Sequence, residues 1–193
     1  MEVPSTMSYV SRLAPPVDRV RERATPALDR PTLEALYVKL EKPMFNVVYR
    51  WVWNASEAQD VVQEAFLNIW NARDRVDPAT VEPLLYRAAL NLASNRRRSS
   101  RIRRFLGLEA ASDEASPART AEEALASEET RGRVRSANEA LPERLRQVVM
   151  LSECTDLTQP EIGAALGIPA GTVGSRRHAA LAHLSEQLGD LAP

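Results

Sequence analysis

The sequence predicts an all-α protein made of two small helical domains joined by a flexible linker. Only seven of its 193 residues are glycine, helix-favouring residues are abundant, and no segment alternates polar and apolar residues as a strand would. Apolar residues instead recur at three- and four-residue steps, which is the spacing of one buried helix face. A basic segment followed by an acidic one separates the two halves of the chain.

Composition argues against several classes of protein. The 25 basic and 26 acidic residues nearly balance, and the apolar runs are far shorter than the roughly 20 residues of a membrane span. Without a secretory signal or a span, the chain is predicted to act in the cytoplasm with no membrane insertion. Cys154 and the two histidines form no metal-ligand pattern, and no nucleophile has an obvious base. We therefore expect a non-enzymatic protein without metal or cofactor.

The first domain is expected at residues 32–105, after an N-terminal extension. Residues 1–31 contain five prolines and little apolar periodicity, which predicts a flexible segment. The periodic pattern begins at Thr32. Because proline lacks the N–H that a helix interior requires, Pro43 is expected to kink or divide this first helix.

Two more helices complete the predicted first domain. The second begins at Ser56, an N-cap residue with Gln59 three positions later. A loop at 73–80 then leads to a third helix at about 81–104. From residue 73 to residue 104, nine arginines outnumber three carboxylates, a net charge of plus six. This charge favours contact with a nucleic-acid backbone, although a solubilising surface or an interface for the acidic segment is the plainer alternative.

An acidic linker is predicted at residues 106–129. Between Glu109 and Glu129, seven carboxylates outnumber the single Arg119, a net charge of minus six. Such a composition is typical of a linker, although its later part can be helical. The opposite charges of the linker and the third helix suggest the hypothesis that the linker masks the helix in the free protein.

The second domain, at residues 130–193, contains a helix-turn-helix pattern. Thr158 and Glu161 form a capping box at the start of one helix, and Gly167 provides the left-handed residue that ends it. Thr172 opens a second helix, whose first turns carry serine, arginine and histidine side chains suited to a DNA groove. A plain helical hairpin with a solvated arginine pair is the alternative interpretation.

Three segments resemble the extracytoplasmic-function sigma factors of bacterial RNA polymerase. SEAQDVVQEAFLNIW at 56–70 is similar to region two of that family, and LLYRAALNLASNRRR at 84–98 continues the likeness. Residues 141–184, LPERLRQVVMLSECTDLTQPEIGAALGIPAGTVGSRRHAALAHL, resemble region four. The resemblance covers about residues 32–188. It implies a subunit that directs core RNA polymerase to promoter DNA, with an anti-sigma factor as a further partner.

The resemblance also implies roles for three sets of residues. The second helix is implied to dock on the polymerase through Asp60, Gln63, Glu64 and Asn68. The third helix is implied to melt and read the minus-ten element through Arg87, Asn91, Asn95, Arg96, Arg97 and Arg98. The helix-turn-helix is implied to read the minus-thirty-five element through Thr172, Ser175, Arg176, Arg177 and His178.

The chain departs from the family pattern at several positions. Pro83 is unexpected near the start of the third helix, so that helix is expected to begin a little later. Gly174, Ala179 and Ala180 stand where basic residues are common, which predicts fewer phosphate contacts. Gly163 replaces alanine and is expected to weaken its helix by up to about 1 kcal/mol.

Two other functions are compatible with parts of the sequence. A helix-turn-helix regulator acting without polymerase would explain residues 141–188 but not the segment at 56–70. An adaptor that has lost promoter recognition would explain Gly174 and Pro83. Binding to core polymerase separates the sigma factor from the regulator, and promoter-dependent transcription separates it from the adaptor.

Overall fold

The structure, a computed structural model, describes residues 28–106 and 121–189, except for the side chains of residue 104 and of residues 121–127. These residues form seven α-helices and contain no strand, which confirms the predicted fold class. The helices are α1 (Arg30–Val52), α2 (Ala55–Asn71), α3 (Val81–Phe105), α4 (Ala121–Ala140), α5 (Glu143–Cys154), α6 (Gln159–Leu166) and α7 (Ala170–Leu188). Most of the predicted extension, and residues 107–120 of the predicted acidic linker, lie outside the described residues, and the masking of the third helix by this linker stays a prediction.

Helices α1, α2 and α3 form the first unit, residues 28–106, around an apolar core. Each helix contributes the face that its periodicity predicts. Large side chains buried in this core include Leu28, Leu40, Met44, Trp51, Phe66, Ile69, Leu85, Tyr86 and Leu90. Fully burying a side chain of this size stabilises the fold by about 1.5–3 kcal/mol relative to leaving it exposed. Packing therefore contributes more to these helices than their intrinsic propensity does.

Pro43 lies inside α1 without dividing it. The helix is continuous from Arg30 to Val52, so the expectation that Pro43 would divide it is wrong. The buried residues Leu40, Met44 and Val47 stay on one face across the proline. Their burial offsets the lost hydrogen bond and the ring clash, which cost about 3 kcal/mol.

The chain turns sharply between α1 and α2. Trp53 ends α1 in the left-handed conformation, with a φ of 57°, and its N–H donates to the carbonyl of Tyr49. The next residue, Asn54, is the N-cap of α2, because its side-chain oxygen accepts a hydrogen bond of 2.8 Å from the backbone N–H of Glu57. The predicted N-cap at Ser56 is therefore two residues too late. Asn and Ser both favour this position, and the turn at Trp53 selects Asn54.

Two short 3₁₀ turns, Arg73–Arg75 and Pro78–Thr80, connect α2 to α3. The carboxylate of Asp77 accepts from the N–H of Ala79 and closes the second turn. Helix α3 begins at Val81, so the expectation of a later start is wrong. Pro83 lies in the first turn, where its missing N–H would have had no partner within the helix.

Helices α4 to α7 form the second unit, residues 121–189. Helix α4 starts at Ala121, so the predicted domain boundary at residue 130 falls inside a helix. The helix-turn-helix is present as α6 and α7. The capping box of Thr158 and Glu161 starts α6, and Gly167 ends it with a φ of 67°, as predicted.

The two units pack against each other. Helix α3 lies against α6, and α1 lies against α5. No helix within the described ranges is both long and apolar enough to cross a membrane.

Candidate nucleic-acid and polymerase interfaces

The exposed face of α2 carries the residues implied to dock on the polymerase. Asp60 and Gln63 are exposed, and Glu64 is half-buried beside them. Leu67, which the sequence analysis did not select, continues the same stripe one turn later and is 60% exposed. An apolar side chain with polar groups beside it is compatible with a protein interface, which has an apolar core and a polar rim. The three- and four-residue steps between positions 60, 63, 64 and 67 are the signal in the sequence that places Leu67 on this face.

Asn68 does not belong to this exposed stripe. Its side chain is only 9% exposed and lies on the side of α2 that packs into the first unit. The prediction that Asn68 lies on the polar face is therefore wrong. A helix turns by about 100° per residue, so Leu67 and Asn68 point to different sides.

Arg96 of α3 bridges the two acidic residues of this stripe. Its guanidinium lies 3.5 Å from the carboxylate of Asp60 and 3.0 Å from that of Glu64. Arg96 was predicted to contact minus-ten DNA, whereas Asp60 and Glu64 were predicted to contact polymerase. The structure brings members of these two sets into one ion-pair cluster.

The C-terminal half of α3 presents a basic surface with apolar side chains beside it. Arg97, Arg98 and Arg101 line an open cleft of about 460 Å³, together with Ile102 and Phe105. Arg98 and Arg101 are exposed, and Phe105 is almost fully exposed. This arrangement suits a nucleic-acid strand, because the arginines attract its phosphates and the aromatic ring can stack on an unpaired base.

Arg87, Asn91 and Asn95 lie at four-residue steps along α3. Asn91 and Asn95 are half-buried. The guanidinium of Arg87 points to the second unit, where its Nε donates a hydrogen bond of 2.7 Å to the carbonyl of Ala165, and a terminal nitrogen donates to the carbonyl of Ala164. Burial lowers the pKa of this guanidinium. Arg87 is thus engaged with the helix-turn-helix here, and its contact with DNA stays a prediction.

Helix α7, the second helix of the helix-turn-helix, presents most of its predicted residues to solvent. Ser175, Arg177 and His178 are exposed, whereas Thr172 and Arg176 are half-buried. Arg177 forms an ion pair of 2.7 Å with Glu153 of α5. Because both side chains are largely solvated, this pair contributes little stability, and a phosphate can replace the carboxylate at low cost.

The two halves of this arrangement match two models of one protein family. Sigma-70 region 2 matches residues 36–103, and sigma-70 region 4 matches residues 131–184. The ECF RNA polymerase sigma factor SigW of Bacillus subtilis is 32% identical over 157 residues, which cover 77% of this chain and 84% of that protein. The chain belongs to the extracytoplasmic-function sigma factors. In this sigma factor, region 2 lies within the first unit and region 4 within the second.

Two solved structures share the fold of this sigma factor. The structure of CnrH in complex with the cytosolic domain of CnrY has a TM-score of 0.63 at 24% identity, over 85% of this chain and 92% of that one. The sigma factor RpoE of Bartonella quintana, in complex with the anti-sigma factor NepR, has a TM-score of 0.61 at 18% identity, over 81% and 96%. These likenesses concern the fold alone.

Proposed function

We propose that this sigma factor binds core RNA polymerase in the cytoplasm, directs it to promoters and helps to open the DNA for transcription. It acts by binding and positioning, without catalysing a reaction itself. The observation that carries the proposal is the exposed stripe of Asp60, Gln63, Glu64 and Leu67 on α2, within a segment that matches sigma region 2. A helix-turn-helix that matches region 4 follows in the same chain.

The proposal assigns a different role to each surface. The stripe on α2 docks on the polymerase. On α3, Asn91 and Asn95 contact a base that has left the stack, because an amide can form paired hydrogen bonds with a base edge. The neighbouring arginines of α3 hold the backbone. The first turns of α7 enter the major groove of the minus-thirty-five element.

A helix-turn-helix regulator that acts without polymerase fits the molecule less well. Such a regulator would use the second unit alone, so residues 36–103, which match sigma region 2, would have no function. It would also leave the stripe on α2 without a partner.

An anti-sigma factor is the proposed inhibitory partner of this chain. Support comes from family membership and from the shared fold of RpoE of Bartonella quintana, whose structure contains the anti-sigma factor NepR. Affinity purification from uninduced cells is expected to recover a protein other than polymerase in stoichiometric amounts. Repeated recovery of polymerase alone would count against such a partner.

Charge reversal on α2 tests the docking role. The double variant Asp60→Lys, Glu64→Lys should lose core binding by at least about thirtyfold, which corresponds to the loss of one hot-spot residue of about 2 kcal/mol. Binding to fluorescently labelled core polymerase measures the loss, and circular dichroism checks that the helices remain.

A matched control separates docking from net charge. The variant Glu129→Lys, Glu186→Lys makes the same change of charge at two exposed sites on α4 and α7. It should bind core polymerase like the wild type. Equal binding by the two double variants would refute the docking role of α2.

A further inference from the structure

The contact between the two units contains hydrogen bonds that join distant parts of the chain. Arg87 of α3 donates to the carbonyls of Ala164 and Ala165 on α6. Two further hydrogen bonds cross the same contact: Ser94 donates to Glu143 at 3.0 Å, and Asn138 donates to the backbone carbonyl of Arg50 at 2.8 Å. We call this contact, of α1 and α3 with α4, α5 and α6, the seam.

Arg87 is well suited to the end of α6. The last carbonyls of a helix have no partner within the helix, and they form the negative end of its dipole. A guanidinium presents several N–H groups in a fixed fork and remains charged, so one side chain satisfies both carbonyls. The side chain of Arg87 also lies 3.7 Å from the position that a Cβ at Gly167 would occupy. Arg87 is therefore hydrogen-bonded to the C-terminal end of α6, immediately before the turn of the helix-turn-helix.

The rest of the seam is imperfectly paired. Among the described residues, four buried side-chain nitrogen or oxygen atoms have no hydrogen-bond partner, and all four belong to residues at the seam: Trp51, Trp53, Asn138 and Arg146. Arg146 and Arg135 of the second unit lie over the rings of Trp51 and Trp53 at 5.1 Å and 5.8 Å. Unpaired buried polar atoms cost free energy that water would recover if the seam opened. The seam is therefore less stable than a fully paired contact of the same size would be.

The packed arrangement brings the two DNA-reading surfaces too close together for a promoter. Ala170, the first residue of α7, is five residues beyond Ala165, so it lies within about 20 Å of the Arg87 guanidinium. Elements centred about 25 base pairs apart lie roughly 85 Å apart along B-DNA. Asn91 also lies between Arg87 and Ser94 on the stripe of α3 that contacts the second unit. Promoter engagement therefore requires the seam to open.

We propose that Arg87 is a latch that holds the free protein in this packed form, and that opening of the latch frees the stripe of α3 that carries Asn91. The need for opening rests on the proposed function, whereas the latch itself is a property of the free chain. Arg87 acts on the position of the second unit and is a positioning residue in this form.

Distances between two spin labels in the full-length free protein test the latch. Labels are attached at Val38→Cys on α1 and Ser185→Cys on α7, two exposed sites away from the stripe on α2, after Cys154→Ala removes the native thiol. The wild-type Arg87 protein should give mainly the short distance of the packed form. Arg87→Gln should raise the ratio of long to short distances about tenfold, because charge-assisted hydrogen bonds to α6 are lost. Arg87→Lys should give an intermediate ratio.

The matched control is Arg75→Gln, which removes the same charge from an exposed turn of the first unit. It should leave the distances unchanged. Two results would overturn the proposal. One is a free wild-type protein that shows mainly long distances, and the other is an Arg87→Gln variant whose distances do not differ from those of the wild type and of the Arg75→Gln control. Core polymerase with promoter DNA should shift the wild type to long distances. Failure to bind polymerase would instead count against the proposed function and leave the latch result intact.

Discussion

Gly163 in α6 is required by the close approach of the next turn. A Cβ at this position would lie 2.7 Å from the backbone oxygen of Ile168, a distance that real Cβ contacts do not reach. The N–H of Ile168 also donates to the carbonyl of Gly163 at 2.9 Å. The expectation from sequence, that glycine merely weakens this helix, overlooked the turn. Helix propensity is a local property, whereas this contact depends on where the chain goes after Gly167.

Replacing Gly163 with alanine should therefore destabilise the protein by about 1–3 kcal/mol, as overpacking does, although alanine favours helices. Urea denaturation measures the change. The control is Gly132→Ala in α4, where the added Cβ would meet nothing within 4 Å apart from its own helix backbone, and this variant should gain up to about 1 kcal/mol. A stabilising effect at both positions would show that the turn tolerates the methyl group.

Gly174 in the recognition helix is not required by packing. A Cβ there would meet the side chain of Gln159 at 3.7 Å, which is ordinary contact. Gly174→Lys should therefore strengthen binding to a minus-thirty-five duplex and make the salt dependence steeper by about 0.9 in slope, the value for one more phosphate contact. Gly174→Gln raises helix propensity without charge. If both variants bind equally well, helix propensity rather than a phosphate contact explains the gain.

At the scale of helices, α2 and α3 are linked through Arg96. Without this residue, Asp60 and Glu64 would be two unscreened like charges one turn apart, which is unfavourable. The ion pairs with Arg96 hold the side chains of Asp60 and Glu64 in place. Arg96→Gln should therefore lower the affinity for core polymerase two- to fivefold, because a partly exposed ion pair contributes about 0.5–1 kcal/mol. Core binding by fluorescence anisotropy measures it.

The control for Arg96 is Arg98→Gln, an exposed arginine of the same helix. This variant should leave the affinity for core polymerase unchanged. If each arginine contacts a phosphate, both variants should reduce by about one the slope of log K against log salt concentration for DNA binding. Identical losses of core affinity would show that Arg96 acts through general charge and not through Asp60 and Glu64.

The helices themselves were predictable because their signals are local. The capping box at Thr158 and the left-handed Gly167 depend on neighbours within a few residues, and both are present. The start of α2 was misplaced because Asn54 and Ser56 are both good N-caps, and the left-handed turn at Trp53 that distinguishes them has no clear signal in the sequence. Of the two effects expected of Pro43, a kink or a division of α1, the division does not occur, because packing on both sides of the proline outweighs its local cost.

At the scale of the whole molecule, the relation between the two units could not be predicted. The bonds from Arg87 to Ala164 and Ala165 join residues 77 and 78 positions apart, and no periodicity encodes such a contact. The candidate surfaces on α2, α3 and α7 followed from motif resemblance, but the pairing of Arg96 with Asp60 and Glu64 did not. Sequence motifs indicate which residues act, and the fold determines which of them act together.

The central claim is that both units of this chain select promoters as one polymerase subunit. Transcription of a genomic DNA library by core polymerase with the purified protein, followed by mapping of RNA start sites, tests it most directly. We predict discrete start sites whose upstream sequences share two conserved elements at a fixed separation, and loss of these sites with the variant Asp60→Lys, Glu64→Lys. Start sites no different from those of core polymerase alone would contradict the account.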